Sequence, residues 1–185
     1  SILLGPGLGI AKEENGFGSE LLDFKGLLVL DADAINRLSL TSKGYEWLNH
    51  RKGPTWLTPH IGEFKRLFPY IDLLCPLKAG IEAAKISGAS VLLKGAHSVI
   101  ADPEGQAWQI GEVNSSVARA GLGDVLAGFI AGIGGSGLAS NGILDTKLLA
   151  ASALIHAYAG AFCLKGSTAS SICTFLGELI KKEST

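Results

Sequence analysis

The chain has 185 residues, 47% of them hydrophobic and 18% charged, and its 16 basic and 17 acidic side chains leave a formal net charge of −1. That size and apolar content suit one domain over residues 1–185 with a core on both faces of a sheet, while the mixed charge gives no positive face for nucleic acid or an anionic membrane. Cys75, Cys163 and Cys173 lack zinc-ligand or disulfide-framework spacing, so reduced, buried thiols are expected, and the apolar stretches are broken before membrane-spanning length, so a cytoplasmic protein is expected.

Ser1 to Leu4 is an apolar strand pattern running into Gly5-Pro-Gly-Leu-Gly9, a turn whose glycines allow close approach of a ligand. The chain holds no methionine and opens on this strand, which suggests a piece of a longer product whose N-terminal part is missing. Ser19 to Phe24 reads as helix, and Gly26 to Leu30 is an apolar strand ending in Asp31-Ala-Asp33. Thr41 to Asn49 reads as helix, Thr55 to Thr58 as strand, and Pro59-His-Ile-Gly62 as a turn that opens a helix at Glu63. Pro76 to Ser87 has helical periodicity and feeds the strand Val91 to Leu93, which ends in Lys94-Gly95. Ser98 to Ala101 and Ala107 to Ile110, joined by Asp102-Pro-Glu-Gly105, read as a β-hairpin. Three helices follow, over Val125–Leu138, Leu144–Leu164 and Ala169–Lys182, the middle one nearly uncharged and therefore expected to be buried. Gly132 to Gly142 reads as a flexible connection or lid. Alternating strands and helices indicate an α/β domain with a mostly parallel central sheet flanked by helices, made mixed by the late hairpin.

In a parallel sheet the carboxyl ends of the strands share one edge, so Gly7 and Gly9, Asp31 and Asp33 with Asn36, His60 with Glu63, and Lys94 are expected near one another. Asn114-Ser-Ser-Val-Ala-Arg-Ala-Gly-Leu-Gly-Asp124 runs directly into a helical pattern. Gly121 and Gly123 let backbone N–H groups converge where the helix dipole adds positive charge, a place for phosphate. An acid repels phosphate, so Asp124 beside this cradle suggests a general base aimed at a hydroxyl next to a transferring phosphoryl group; the alternative is a helix cap. His60 can meet a substrate or cap the next helix. Lys94 can contact phosphate, with Ser98 as a second polar group, or point from a strand end to solvent. Asp31 and Asp33 can hold magnesium through water, or the next helix can be capped from Asp33 or Asn36. Arg119 can touch phosphate or point into solvent, and His50, His97 and His156 read as structural.

Gly5 to Gly9, Leu30 to Asn36, Leu57 to Phe64, Leu92 to His97 and Asn114 to Gly128 together resemble, in order and spacing, the NAD(P)H-hydrate dehydratase family. The resemblance implies a ribokinase-like fold and an enzyme, a hydro-lyase that uses ADP or ATP, with magnesium, to dehydrate the S form of NADH-hydrate or NADPH-hydrate. It places Gly7, His60 and Asp124 on the hydrate side, with Asp124 catalytic, and Lys94, Gly95, Ala96, His97, Ser98, Gly121 and Gly123 on the adenine-nucleotide side. It also implies a homo-oligomer, a tetramer. The family's usual hydroxyl residue between the last two glycines is Leu122 here, and its usual proline after the histidine is Ile61. A vitamin or sugar kinase of the same fold would share the base and the cradle, and a catalytically silent nucleotide-binding module is the remaining alternative.

Overall fold

The computed structural model describes residues 1–9, 17–41, 44–111, 120–163 and 167–183. Among the described residues, six strands form one sheet in chain order: β1 (Ile2–Leu4), β2 (Leu28–Leu30), β3 (Thr55–Leu57), β4 (Ser90–Leu93), β5 (Val99–Ala101) and β6 (Ala107–Gln109). The first four run parallel, Leu3 opposite Val29 and Val29 opposite Trp56, and β4, β5 and β6 pair antiparallel, with Leu92 opposite Ile100 and Ile100 opposite Trp108. The mixed sheet with its late hairpin is the one expected.

The strands alternate their side chains between two layers, each covered by helices. Leu28, Leu30, Leu57, Val91 and Leu93 pack on one face against α2 (Ala32–Ser39), α4 (Ile61–Leu67) and α5 (Pro76–Ser87), with the short helices α1 (Ser19–Asp23) and α3 (Glu46–Asn49) at the margin. Burying Phe64 and Phe68 there contributes about 2–3 kcal/mol each. Leu27, Val29, Trp56, Leu92 and Ile100 pack on the opposite face against α6 (Leu122–Asn141) and α7 (Thr146–Phe162). α8 (Ser171–Glu183) adds Ile172 and Leu176 to a satellite cluster with Ala159, where Leu122, Val125 and Phe129 of α6 also pack.

Several expectations are corrected. The sequence after Asp31 is already helical as α2, and of the helix expected over Thr41–Asn49 the described residues show the four-residue α3. Gly132 to Asn141 is no connection but the second half of α6, because Gly134 is where the helix crosses the sheet: a Cβ there would lie 2.5 Å from Leu27 and from the Trp56 ring. That same helix, 20 residues and apolar, is long enough by composition to cross a membrane, contrary to the expectation from the sequence. Leu126, Ala127, Ile130 and Ala131 bury one side of it against the protein. α7 is not buried throughout, since Leu154, Tyr158 and Phe162 are exposed at successive turns. Cys75 and Cys173 are exposed and Cys163 is half-buried, so the thiols are free but not sequestered. Cys75 is the N-cap of α5 and Cys173 lies on the outer face of α8, while Cys163, at the C-cap of α7, packs partly against the α7–α8 cluster.

Candidate functional site

The carboxyl ends of β1 to β4 do form one edge, and each end carries a different kind of constraint. After β1, Gly5 adopts φ +135° with its α-carbon pressed on the backbone of Asp31, so that any Cβ would collide with the Asp31 carbonyl. Leu8 N–H closes the turn on Gly5 O at 3.0 Å. Gly9 N–H donates to Asp33 Oδ2 at 2.8 Å, and Arg37 donates from Nε to Gly9 O and from Nη2 to Leu8 O, both at 2.9 Å. Gly7 projects into open space at φ +70°. The loop is thus bound to α2 by side chains from its first two turns. Arg37 was not singled out from the sequence; nothing in its spacing pairs it with a loop 28 residues earlier.

After β2, Asp31 occupies the N-cap position of α2, with Ala32 in a left-handed conformation at φ +46°. Such a conformation costs an alanine about 1 kcal/mol, which the close approach of Gly5 maintains. Yet the Asp31 carboxylate makes no cap hydrogen bond. It turns instead across the end of β3 to Lys94, whose Nζ donates to Oδ1 at 2.6 Å, with Asp31 2% and Lys94 22% exposed at their side chains. Asp33 is engaged by Gly9, and Asn36 Oδ1 accepts from Arg66 Nε at 3.0 Å. In this structure, then, the Asp31 carboxylate is engaged by Lys94, the Asp33 carboxylate by the Gly9 amide, and neither Asp33 nor Asn36 is the N-cap of α2, whose N-cap position is Asp31.

After β3, His60 is the N-cap of α4. Its Nδ1 accepts from the N–H groups of Gly62 at 2.9 Å and Glu63 at 3.3 Å, and Glu63 Oε2 accepts from His60 N–H at 2.8 Å, a reciprocal capping box. An accepting Nδ1 places the ring proton on Nε2, which lies 3.2 Å from Glu63 Oε1. The ring remains 55% exposed, so capping leaves a face of it open to the edge. After β4, Lys94 N–H donates to Pro59 O at 2.8 Å, and His60 and Lys94 form an isolated parallel bridge that extends the sheet by one step. Gly95 and Ser98 bond each other at 3.3 Å, while Ala96 and His97 are exposed.

The fifth component comes from the other layer. Gly121, at φ +86°, is the N-cap of α6, a left-handed position suited to glycine. The helical ladder begins with Val125 N–H donating to Gly121 O at 3.1 Å, so the amides of Leu122, Gly123 and Asp124 precede it and supply the positive end of the helix. Asp124 is exposed in that first turn. A Cβ placed on Gly123 would lie 3.8 Å from Lys94 Nζ, which puts the lysine, its Asp31 partner and the amide turn in one place. Residues 114–119, including Arg119, lie outside the described residues. Leu122, in place of a hydroxyl residue, packs inward with Val125 and Phe129 against Ala159, Ile172 and Leu176. The His156 ring hydrogen-bonds the backbone of Leu122 from behind, and burial holds its pKa down at about 4, so it is neutral. Its Nε2 is buried with no partner among the described residues. Also among them, no three His, Cys, Asp or Glu side chains gather in a metal-binding group.

A six-stranded mixed sheet whose parallel edge sets a lysine beside a glycine turn at a helix N-terminus is a ribokinase-like α/β fold. Matching that fold is a ribokinase-like superfamily protein of Enterococcus faecalis, with a TM-score of 0.75 and 24% identity over 97% of this chain and 62% of the other. The chain belongs to the NAD(P)H-hydrate dehydratase family, whose model matches residues 1–182. It is 46% identical over 133 residues to a bifunctional NAD(P)H-hydrate repair enzyme of Synechocystis, covering 72% of this chain and 25% of the relative. The ADP/ATP-dependent NAD(P)H-hydrate dehydratase of Bacillus subtilis, co-crystallised with ATP and Mg2+ and soaked with CoA, superposes with a TM-score of 0.69 at 25% identity over 89% of this chain and 59% of its own. The chain thus spans about a quarter of the first of these enzymes and about three fifths of the second.

Proposed function

We infer that this chain carries the nucleotide-dependent dehydration of the S form of NADH-hydrate and NADPH-hydrate, with ADP or ATP as phosphoryl donor. The observation that supports it most is the meeting of Lys94 with the amide turn before Asp124, which pairs an anion cradle with a base as phosphoryl transfer to a hydroxyl requires. Asp124 accepts the proton of the hydrate's ring hydroxyl as that oxygen attacks the terminal phosphorus and the remaining nucleotide leaves with the P–O bond electrons. The ring nitrogen lone pair then expels the phosphate ester oxygen, and loss of a proton from the neighbouring carbon restores the dihydropyridine. Gly7 and the open face of His60 border the hydrate; Lys94 to Ser98, Gly121 and Gly123 border the nucleotide. Magnesium suits this site as a companion of the phosphates, since the ion retains most of its water and the described carboxylates form no cage for it. When bound, it neutralises phosphoryl charge.

The remaining readings are a single domain over residues 1–185, a cytoplasmic location and a homo-oligomer, a tetramer. The exposed line of Leu154, Tyr158 and Phe162 along α7 supports the oligomer, and sedimentation analysis tests it.

Asp124→Asn tests the chemistry. Production of reduced nicotinamide, followed by its absorbance together with free phosphate, is expected to fall by about a thousandfold while nucleotide binding and melting temperature are retained, because the side chain is exposed. Unchanged turnover would remove the base assignment, and a wild-type protein that releases a lasting phosphorylated product would be a kinase instead.

A further inference from the structure

We propose that Asp31 is a positioning residue for phosphoryl binding: it acts through Lys94, holding the ammonium across the end of β3 so that it faces the Gly121–Asp124 turn. This rests on the reading that the turn takes a nucleotide phosphate. Asp31 stands at the N-cap of α2 and would be expected to spend its carboxylate on the helix amides. It does not; the cap bond is absent and the carboxylate is given to a lysine 63 residues further along the chain. An ion pair in so buried a place is a poor source of stability, because the loss of hydration offsets most of the attraction. Its geometric effect is larger.

Lys94 has four side-chain torsions and would otherwise sample many directions from a strand end. With Nζ held at 2.6 Å from Oδ1, one of its three N–H groups is committed and the ammonium is fixed near the place where Gly123 has no side chain. The remaining donors are directed without reorganisation when an anion arrives. The carboxylate is itself fixed by its surroundings: Gly5 presses on the Asp31 carbonyl, Asp31 N–H donates to Leu4 O at 3.0 Å, and Ala32 is held in its left-handed conformation. Those contacts also connect the loop after β1, bordering the hydrate, to the lysine bordering the nucleotide.

The test is a double-mutant cycle in the full-length protein, read by calorimetric titration with a non-hydrolysable ATP analogue and by melting temperature. By charge alone, Asp31→Asn removes a repulsive carboxylate and tightens the anion. Positioning predicts the opposite sign. Affinity is expected to weaken by about tenfold in Asp31→Asn and on the order of a hundredfold in Lys94→Met, with the double variant no weaker than Lys94→Met. Lys94→Met strands a buried carboxylate and is expected to melt lower, and the added Asp31→Asn is expected to raise it again. Tighter or unchanged binding by Asp31→Asn, or losses that multiply in the double variant, would overturn the role. A wild-type protein that binds the analogue but makes no reduced nicotinamide would overturn the dehydratase reading alone, since the cycle needs no turnover.

Discussion

The loops after β1 and β3 lie at the sheet edge that also carries Lys94, the turn before α6 meets that lysine, and the two are built in opposite ways. The first two are secured from the front: Asp33 and Arg37 bind the Gly9 and Leu8 backbone, and Glu63 and His60 bind each other's backbone amides. Among the described residues the turn is secured from behind, by Leu122 in the α7–α8 cluster and by the His156 ring, and Asp124 is exposed. On the proposed function, the first two loops meet the hydrate ring and gain from being rigid at their contact face, whereas the turn meets developing phosphoryl charge and gains from amides free to donate to it.

Breaking the front of this arrangement has the largest effect. Gly5→Ala combines a left-handed backbone with a collision at the Asp31 carbonyl, and is expected to cost about 3 kcal/mol or more and to displace Asp31 and Lys94 together; chemical denaturation and analogue binding read both. Breaking the back is a matter of pH. The His156 pKa falls from 6.5 in the unfolded chain to about 4 in the folded one. The unfolded state therefore binds the extra proton first, and stability is complete above about 6.5 and lost progressively as pH falls toward 4, by about 3 kcal/mol in total. His156→Gln is expected to flatten that part of a denaturation-versus-pH curve, and an unaltered acid slope would place its origin elsewhere.

The smallest effect sharpens the comparison at His60. His60→Ala is expected to cost about 1 kcal/mol by removing the cap, and His60→Asn to recover most of it, because its side-chain oxygen can accept from the same amides. Neither is expected to recover the KM for the hydrate if the open ring face meets that substrate. Recovery of KM by asparagine would reduce His60 to a cap.

Much of this was legible in the sequence wherever an element announces itself locally. The apolar runs at β2, β3 and β4 and the helix Pro76–Ser87 stand where expected, since each depends on its own residues and flanking turn signals. α2 was not recognised: its carboxylates and Asn36 read as loop chemistry, while Ala34, Ile35 and Leu38 reveal a helix only once a sheet lies beneath them. The glycines of α6 misled in the reverse direction, because intrinsic propensity disfavours them in a helix and only the close crossing over Trp56 repays Gly134.

By itself the sequence determined that polar groups end the buried strands and that Asp124 opens a helix behind two glycines, because strand periodicity and helix-start chemistry are properties of neighbours in the chain. Only the tertiary structure decided that the Asp31 carboxylate pairs with Lys94 rather than with its own helix, and that the Lys94 ammonium lies beside Gly123. Residues separated by a whole strand–helix unit carry no local trace of each other, and the parallel register of β2, β3 and β4 is what brings their ends together.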